Sequence, residues 1–196
     1  MNKRKIIYSL TLMIGTLLIL SALAILIRQA VLNERENRAT SEIVSEMEKI
    51  LPEGTVGSPE AHYGNSMPAA EINGENYVGL LVIPDYNAKY PVGASWENSR
   101  RNRYPCVYSG NLYDNSLIIG GINSAAQYNF ASDIDIGAKI RITDLYGQVF
   151  MYEVMMVNHM NSESDITSQG EDFTFFVIAN SSAEYIIIRC RLSEMS

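Results

Sequence analysis

The chain has 196 residues, 47% of them hydrophobic, enough for one domain with appendages. Its formal charge is −7, and no Lys/Arg-rich run is interleaved with aromatic residues. Nucleic acid is thereby excluded as a partner, because phosphate binding needs a concentrated positive surface.

Residues 1–5 form a short basic tail carrying Lys3, Arg4 and Lys5, and 6–27 form an uncharged apolar run closed by Arg28. The run is long enough to cross a ~30 Å hydrocarbon core as a helix, in contact with membrane lipid. A cleavable signal peptide is the competing reading, since Ala22-Leu23-Ala24 has the form of a cleavage site. The apolar region of a signal peptide is about 7–15 residues, whereas this one continues through Ile25-Leu26-Ile27 past the candidate cut. Basic residues lie on both flanks, with Arg28, Arg35 and Arg38 opposing the tail, so counting alone does not orient the span. The short basic tail favours a cytoplasmic N-terminus.

Within 28–51, Ala39, Ile43, Met47, Ile50 and Leu51 recur at helical spacing in a polar background. They predict an amphipathic juxtamembrane helix from about Leu32, ended by Pro52 and Gly54. Its stripe either packs on its own domain or associates with a second copy. Residues 52–75 are rich in Gly, Pro, Ser and Asn and read as a linker, in which His62 is a solvated histidine.

From 76 to 196 the texture changes to short β-like runs. Tyr77 to Ile83 stops at Pro84, and Leu117-Ile118-Ile119 stops at Gly120-Gly121. Lys139 to Thr143 alternates, then turns through Asp144 to Gly147 into Val149 to Val154, a hairpin signal. Phe173 to Ala179 and Tyr185 to Leu192 supply two further strands. Many short strands without a second long helical pattern argue for an antiparallel barrel or sandwich.

Three stretches carry a resemblance. Leu117-Ile118-Ile119-Gly120-Gly121-Ile122-Asn123, Asp172-Phe173-Thr174-Phe175-Phe176-Val177-Ile178 and Tyr185-Ile186-Ile187-Ile188-Arg189-Cys190 resemble L-V-I-A-G-H-N, D-L-T-L-x-T-C and R-x-x-V-R-C of the bacterial sortases. Tyr77 to Pro84, Tyr90-Pro91-Val92, Pro105 to Gly110, Phe130 with Asp135-Ile136-Gly137, and Asp144 to Gly147 followed by Tyr152-Glu153-Val154 continue it in order. Ala138 stands where that family has an aspartate. The resemblance covers about Tyr77 to Leu192 and implies an eight-stranded sortase-type β-barrel, mainly β, preceded by the transmembrane and juxtamembrane helices. It also implies an extracellular domain on a single-pass anchor, facing the cell wall of a Gram-positive bacterium.

Active sortases are cysteine transpeptidases acting on a sorting-signal peptide. A thiolate attacks the carbonyl, a histidine protonates the departing amine, and an arginine steadies the oxyanion. In this chain those slots hold Ile178, Ile122 and Tyr185. Neither isoleucine has an ionisable proton, and Tyr185 retains only a hydroxyl. The resemblance therefore implies a degenerate member with no catalytic trio and no cofactor. It would serve as a binding or scaffolding module for a peptide or surface-protein ligand, with groove candidates Ile122, Asn123, Ile178 and Tyr185.

The alternative is an enzyme of that family with relocated residues. Strand parity puts Cys190 with Ile186, Ile188 and Leu192, facing the core, and Tyr185 with Ile187, Arg189 and Arg191 on the other face, where Arg189 is expected to be solvated. Ser181 and Ser182 read as turn formers and His159 as a surface loop residue. Cys106 and Cys190 can form at most one disulfide, which the sequence leaves open. The acidic groups Asp133 with Asp135, and Glu163 with Asp165, Glu171 and Asp172, lack EF-hand-like spacing, so no metal is expected.

Overall fold

The computed structural model of the protein describes residues 3–57, 66–97, 101–123, 127–167, 171–179 and 184–193. The chain falls into two compact units, Met1–Arg38 and Ala39–Ser196. The first is wholly helical where described, part of α1 (Lys3–Ile50). Its stretch Leu12–Leu32 is exposed, has a mean hydropathy of 2.0, and is long and apolar enough to cross a membrane. Here Thr16 and Ser21 return their hydroxyls to the carbonyls of Met13 and Leu18, so neither leaves a polar group unsatisfied.

In the second unit, the last turns of α1 bury Ile43, Val44 and Met47 against Ile72, Tyr77, Leu80, Tyr104 and Cys106. Of the expected stripe, Ile50 is 53% exposed. The helix ends there, and Leu51 reaches the cluster in its place. Val44, beside Ile43, completes the contact.

Ten strands follow. They are β1 (Thr55–Val56), β2 (Ala70–Ile72), β3 (Glu75–Ile83), β4 (Ala88–Gly93), β5 (Cys106–Ser109), β6 (Leu117–Asn123), β7 (Lys139–Asp144), β8 (Gln148–Met160), β9 (Phe173–Ala179) and β10 (Tyr185–Leu192). Eight of them, β3 to β10, close a barrel in the order β3-β7-β8-β10-β9-β6-β5-β4, with β4 returning to β3. Closure removes the open edges on which a half-barrel would aggregate. The two short strands fall within the stretch read as a linker. β1 lies parallel to β8, and β2 folds back on β3 through Asn73-Gly74. Both turn residues have positive φ, at 54° and 80°, as a two-residue hairpin loop requires.

The core follows from period-two alternation. Leu117 and Ile119 on β6, Phe173, Phe175 and Val177 on β9, and Ile186, Ile188 and Cys190 on β10 all face the barrel interior. Asp144, fully buried at the end of β7, shapes the turn to β8. Its carboxylate accepts from Tyr113 Oη at 2.7 Å and from the amides of Tyr146 and Gln148 at 2.9 and 2.8 Å.

Candidate functional site

The pairing of β6, β9 and β10 builds the site. β6 and β9 run parallel with Ile122 opposite Ile178, and β9 and β10 run antiparallel with Ile178 opposite Tyr185. Tyr185 in turn pairs with Met160 on β8. Directly paired residues share one face and sit about 5 Å apart. Ile122, Ile178, Tyr185 and Met160 thus form one transverse row on the outward face, each half-buried. The fourth groove candidate, Asn123, lies on the opposite side of its strand. Its carboxamide accepts from the Tyr128 amide at 3.2 Å and donates to Asn129 Oδ1 at 3.0 Å, so it clamps a loop and stays apart from the row.

Next to the row the outward face is covered. Phe176 and Ile187 point away from the barrel interior, yet both are 0% exposed. They pack with Ile166, Trp96, Tyr108 and Ile118 in a cluster of their own. The rings of Trp96, Tyr108 and Phe176 meet pairwise at 5.2 to 5.6 Å, edge-on or tilted as aromatic quadrupoles prefer. Gly120 makes this possible. A Cβ there would lie 2.2 Å from the Phe176 ring, so the missing side chain lets that ring rest across β6. Arg101 closes the outside, its guanidinium 5.1 Å from the Trp96 ring centroid while it donates to the Trp96 carbonyl at 3.0 Å.

The row contains aliphatic groups, a thioether and one phenol. At the rim, Tyr108 donates its hydroxyl to Glu163 Oε1 at 3.0 Å. That hydrogen bond to the carboxylate, with a smaller effect from burial, holds the phenol above its ordinary pKa.

Both thiols lie away from the row. Cys106 and Cys190 are free and fully buried in separate clusters, so the disulfide left open by the sequence is not formed. Burial pushes the Cys106 thiol up to about 12 and raises that of Cys190 as well. We therefore expect both to resist alkylation in the native protein and to react once it is unfolded. Mass spectrometry after brief iodoacetamide treatment reads this out, and rapid native labelling of Cys190 would contradict its burial.

His159 is on β8, not in a loop. It is exposed, with Nδ1 2.9 Å from Glu184 Oε1, and its register partner is Ile186, outside the row. Arg189 corrects a second expectation. It is 5% exposed and pairs with buried Thr174, because this part of the β10 outer face is covered and not solvated. Ser181, Ser182 and His62 lie outside the described residues. Of the acidic side chains, Asp135 Oδ2 accepts from Tyr86 Oη at 3.3 Å, Asp172 accepts from the Leu192 amide, and Glu171 stands 3.9 Å from Arg191. Among the described residues no group of three His, Cys, Asp or Glu is placed to hold a metal.

Sequence reasoning missed Trp96, Tyr108, Ile166 and Phe176 as parts of the site. The available signal was composition, since Ile166 is the lone large aliphatic residue in a loop of Ser, Glu, Asp and Thr, and a lone apolar residue of that kind is usually an anchor.

No protein-family model matches the chain, and no curated protein matches it. Solved structures do. Sortase C1 from Streptococcus agalactiae is similar with a TM-score of 0.54 and 15% identity, over 64% of this chain and 72% of its own. Sortase A from Corynebacterium diphtheriae gives 0.51 and 13% over 86% and 85%. The Clostridium perfringens sortase D5 transpeptidase gives 0.51 and 16% over 63% and 82%. The barrel is the sortase fold, as the strand motifs implied. At these identities the likeness carries the fold and not the chemistry.

Proposed function

We propose that this protein is a membrane-anchored pseudosortase, a non-catalytic module that binds an extended peptide or a surface-protein segment on its outer face. The observation that carries the reading is the transverse row. The three slots in which the resemblance expects histidine, cysteine and arginine are brought side by side as Ile122, Ile178 and Tyr185. The scaffold that would assemble a reactive trio is retained, and the trio is replaced by groups suited to apolar contact. The apolar stretch Leu12–Leu32 supports a single-pass anchor, with the N-terminal tail cytoplasmic and the barrel facing the cell wall of a Gram-positive cell. The rival reading, relocated cysteine chemistry, is disfavoured by the burial of both thiols.

Binding is tested on the full chain in nanodiscs, probed with an array of fluorescent extended apolar peptides, including sorting-signal peptides. At least one class should bind reversibly. Ile178→Asp, which puts a charge into the row, should weaken that binding more than tenfold, or about 1.4 kcal/mol. Absence of binding across the array, or binding indifferent to Ile178→Asp, defeats the reading.

A further inference from the structure

A concavity of about 410 Å³ lies on the barrel wall built by β3, β4 and β7, strands that carry no member of the row. Its floor follows from register. Val82 on β3 pairs with Lys89 on β4 and with Arg141 on β7, while Leu80 pairs with Thr143, which pairs in turn with Val149 on β8. Directly paired residues share a face, and Leu81 and Ile83 fill the barrel interior. Leu80, Val82, Thr143 and Val149 therefore line the concavity from outside.

One wall comes from the end of α1 and the residues that follow it. Leu51 to Gly54 run beside the β7–β8 turn and are fixed there. The Thr55 amide donates to the Gly147 carbonyl at 2.9 Å, and the Gly57 amide donates to that of Val149 at 2.8 Å. Gly54 permits the close approach, since a Cβ there would lie 3.1 Å from Val149 Cγ2. The walls thus stand without any ligand.

Glu48, Glu53, Lys89 and Arg141 ring this apolar floor. Glu48 and Lys89 form an ion pair with each other. Among the described residues, Arg141 and Glu53 form none. A cation and a carboxylate are left over, and their levels are separated along the strands. Arg141 lies two residues from Thr143 on β7, about 7 Å, and Glu53 adjoins Gly54 at the Thr143–Val149 level. An extended chain advances about 3.5 Å per residue, so two residues cover that distance.

We propose that this concavity binds a zwitterionic dipeptide, with its carboxylate on Arg141, its ammonium on Glu53 and apolar side chains over Val82 and Val149. A simple anion or cation would answer one of the two charges, and a single amino acid is too short to reach both. The site is separate from the row and stands or falls independently of the binding reading given above. Exposed ion pairs are each worth little, so the expected Kd is about 1–10 mM.

The test titrates the full chain in nanodiscs with leucyl-leucine and follows the Val82 and Val149 methyl groups by NMR. Both should shift in the parent. N-acetylation or C-terminal amidation of the probe should each weaken binding roughly threefold or more. Glu53→Gln should weaken leucyl-leucine by a similar factor and leave the acetylated form unaffected. Arg141→Gln should do the same and leave the amidated form unaffected. A merely structural role for either residue would move all forms alike, and that result overturns the proposal. It is also overturned if neither methyl shifts by about 50 mM probe, or if the acetylated and amidated forms bind as well as the free dipeptide.

Discussion

No covalent adduct should form when the protein is incubated with a sorting-signal peptide and an amine acceptor, and neither cleavage nor transfer products should accumulate. Acyl transfer by this fold needs a thiolate, a group that titrates near neutral pH, and a donor for the developing oxyanion. Ile178 and Ile122 supply none of these, and Tyr185 supplies at most one neutral hydrogen bond. Loss of a nucleophile or base from a coupled unit alone lowers turnover by about 10⁴ to 10⁶. Cys106 and Cys190 are both buried, whereas attack requires an accessible thiolate. Time-resolved intact-mass measurement checks the point. An acyl mass on any residue, or product growth that disappears with Cys190→Ala, would show that the chemistry has moved and was not lost.

The converse experiment has a comparably large expected effect. Combining Ile122→His, Ile178→Cys and Tyr185→Arg should create a reactive thiol where none exists. The three positions are neighbours in one row, so the new side chains should meet without any change of backbone. A half-exposed thiol beside cations keeps a pKa at or below the ordinary ~8.5, whereas Cys106 is held up at about 12. Near neutral pH the thiolate fractions then differ by roughly 10³ or more, before access is considered. Iodoacetamide should therefore modify the new cysteine selectively. Turnover is expected to remain poor, because misplacement by about 1 Å can cost a hundredfold. The variant should fold, since none of the three side chains lies in the barrel interior. An inert thiol at 178 in a well-folded protein would mean that the slots are misplaced.

The strands that carry the row were legible because their patterns are local. Alternation on β9 and β10 separates the inward set from the outward set without knowledge of any partner, and it placed Cys190 in the core correctly. The Asn73-Gly74 hairpin was equally legible in kind, but it lay inside a stretch dominated by Gly, Pro and Ser and was read as linker. Parity gave the right face for Ile187 and Arg189, but Arg189 was expected to be solvated and is buried. What buries Ile187 comes from Trp96, Tyr108 and Ile166, which are distant along the chain or sit in polar loops. Coverage by loops depends on how the barrel closes, in particular on the β3–β7 and β6–β9 pairings, and no periodicity encodes those. The position of Ile50 shows the same limit at smaller scale, because helical spacing cannot say where the docking surface stops.

Trp96 is the only tryptophan in the chain, and it belongs to the outer cover, not to the barrel interior. Its indole sits against Tyr108 and Phe176 beneath the Arg101 guanidinium. Emission excited at the red edge of protein absorption therefore reports on this one corner of the molecule. A thermal melt followed by tryptophan fluorescence would record loss of that aromatic contact, while far-ultraviolet dichroism on the same sample would record the sheet. The two curves coincide only if the cover and the barrel come apart in a single cooperative step.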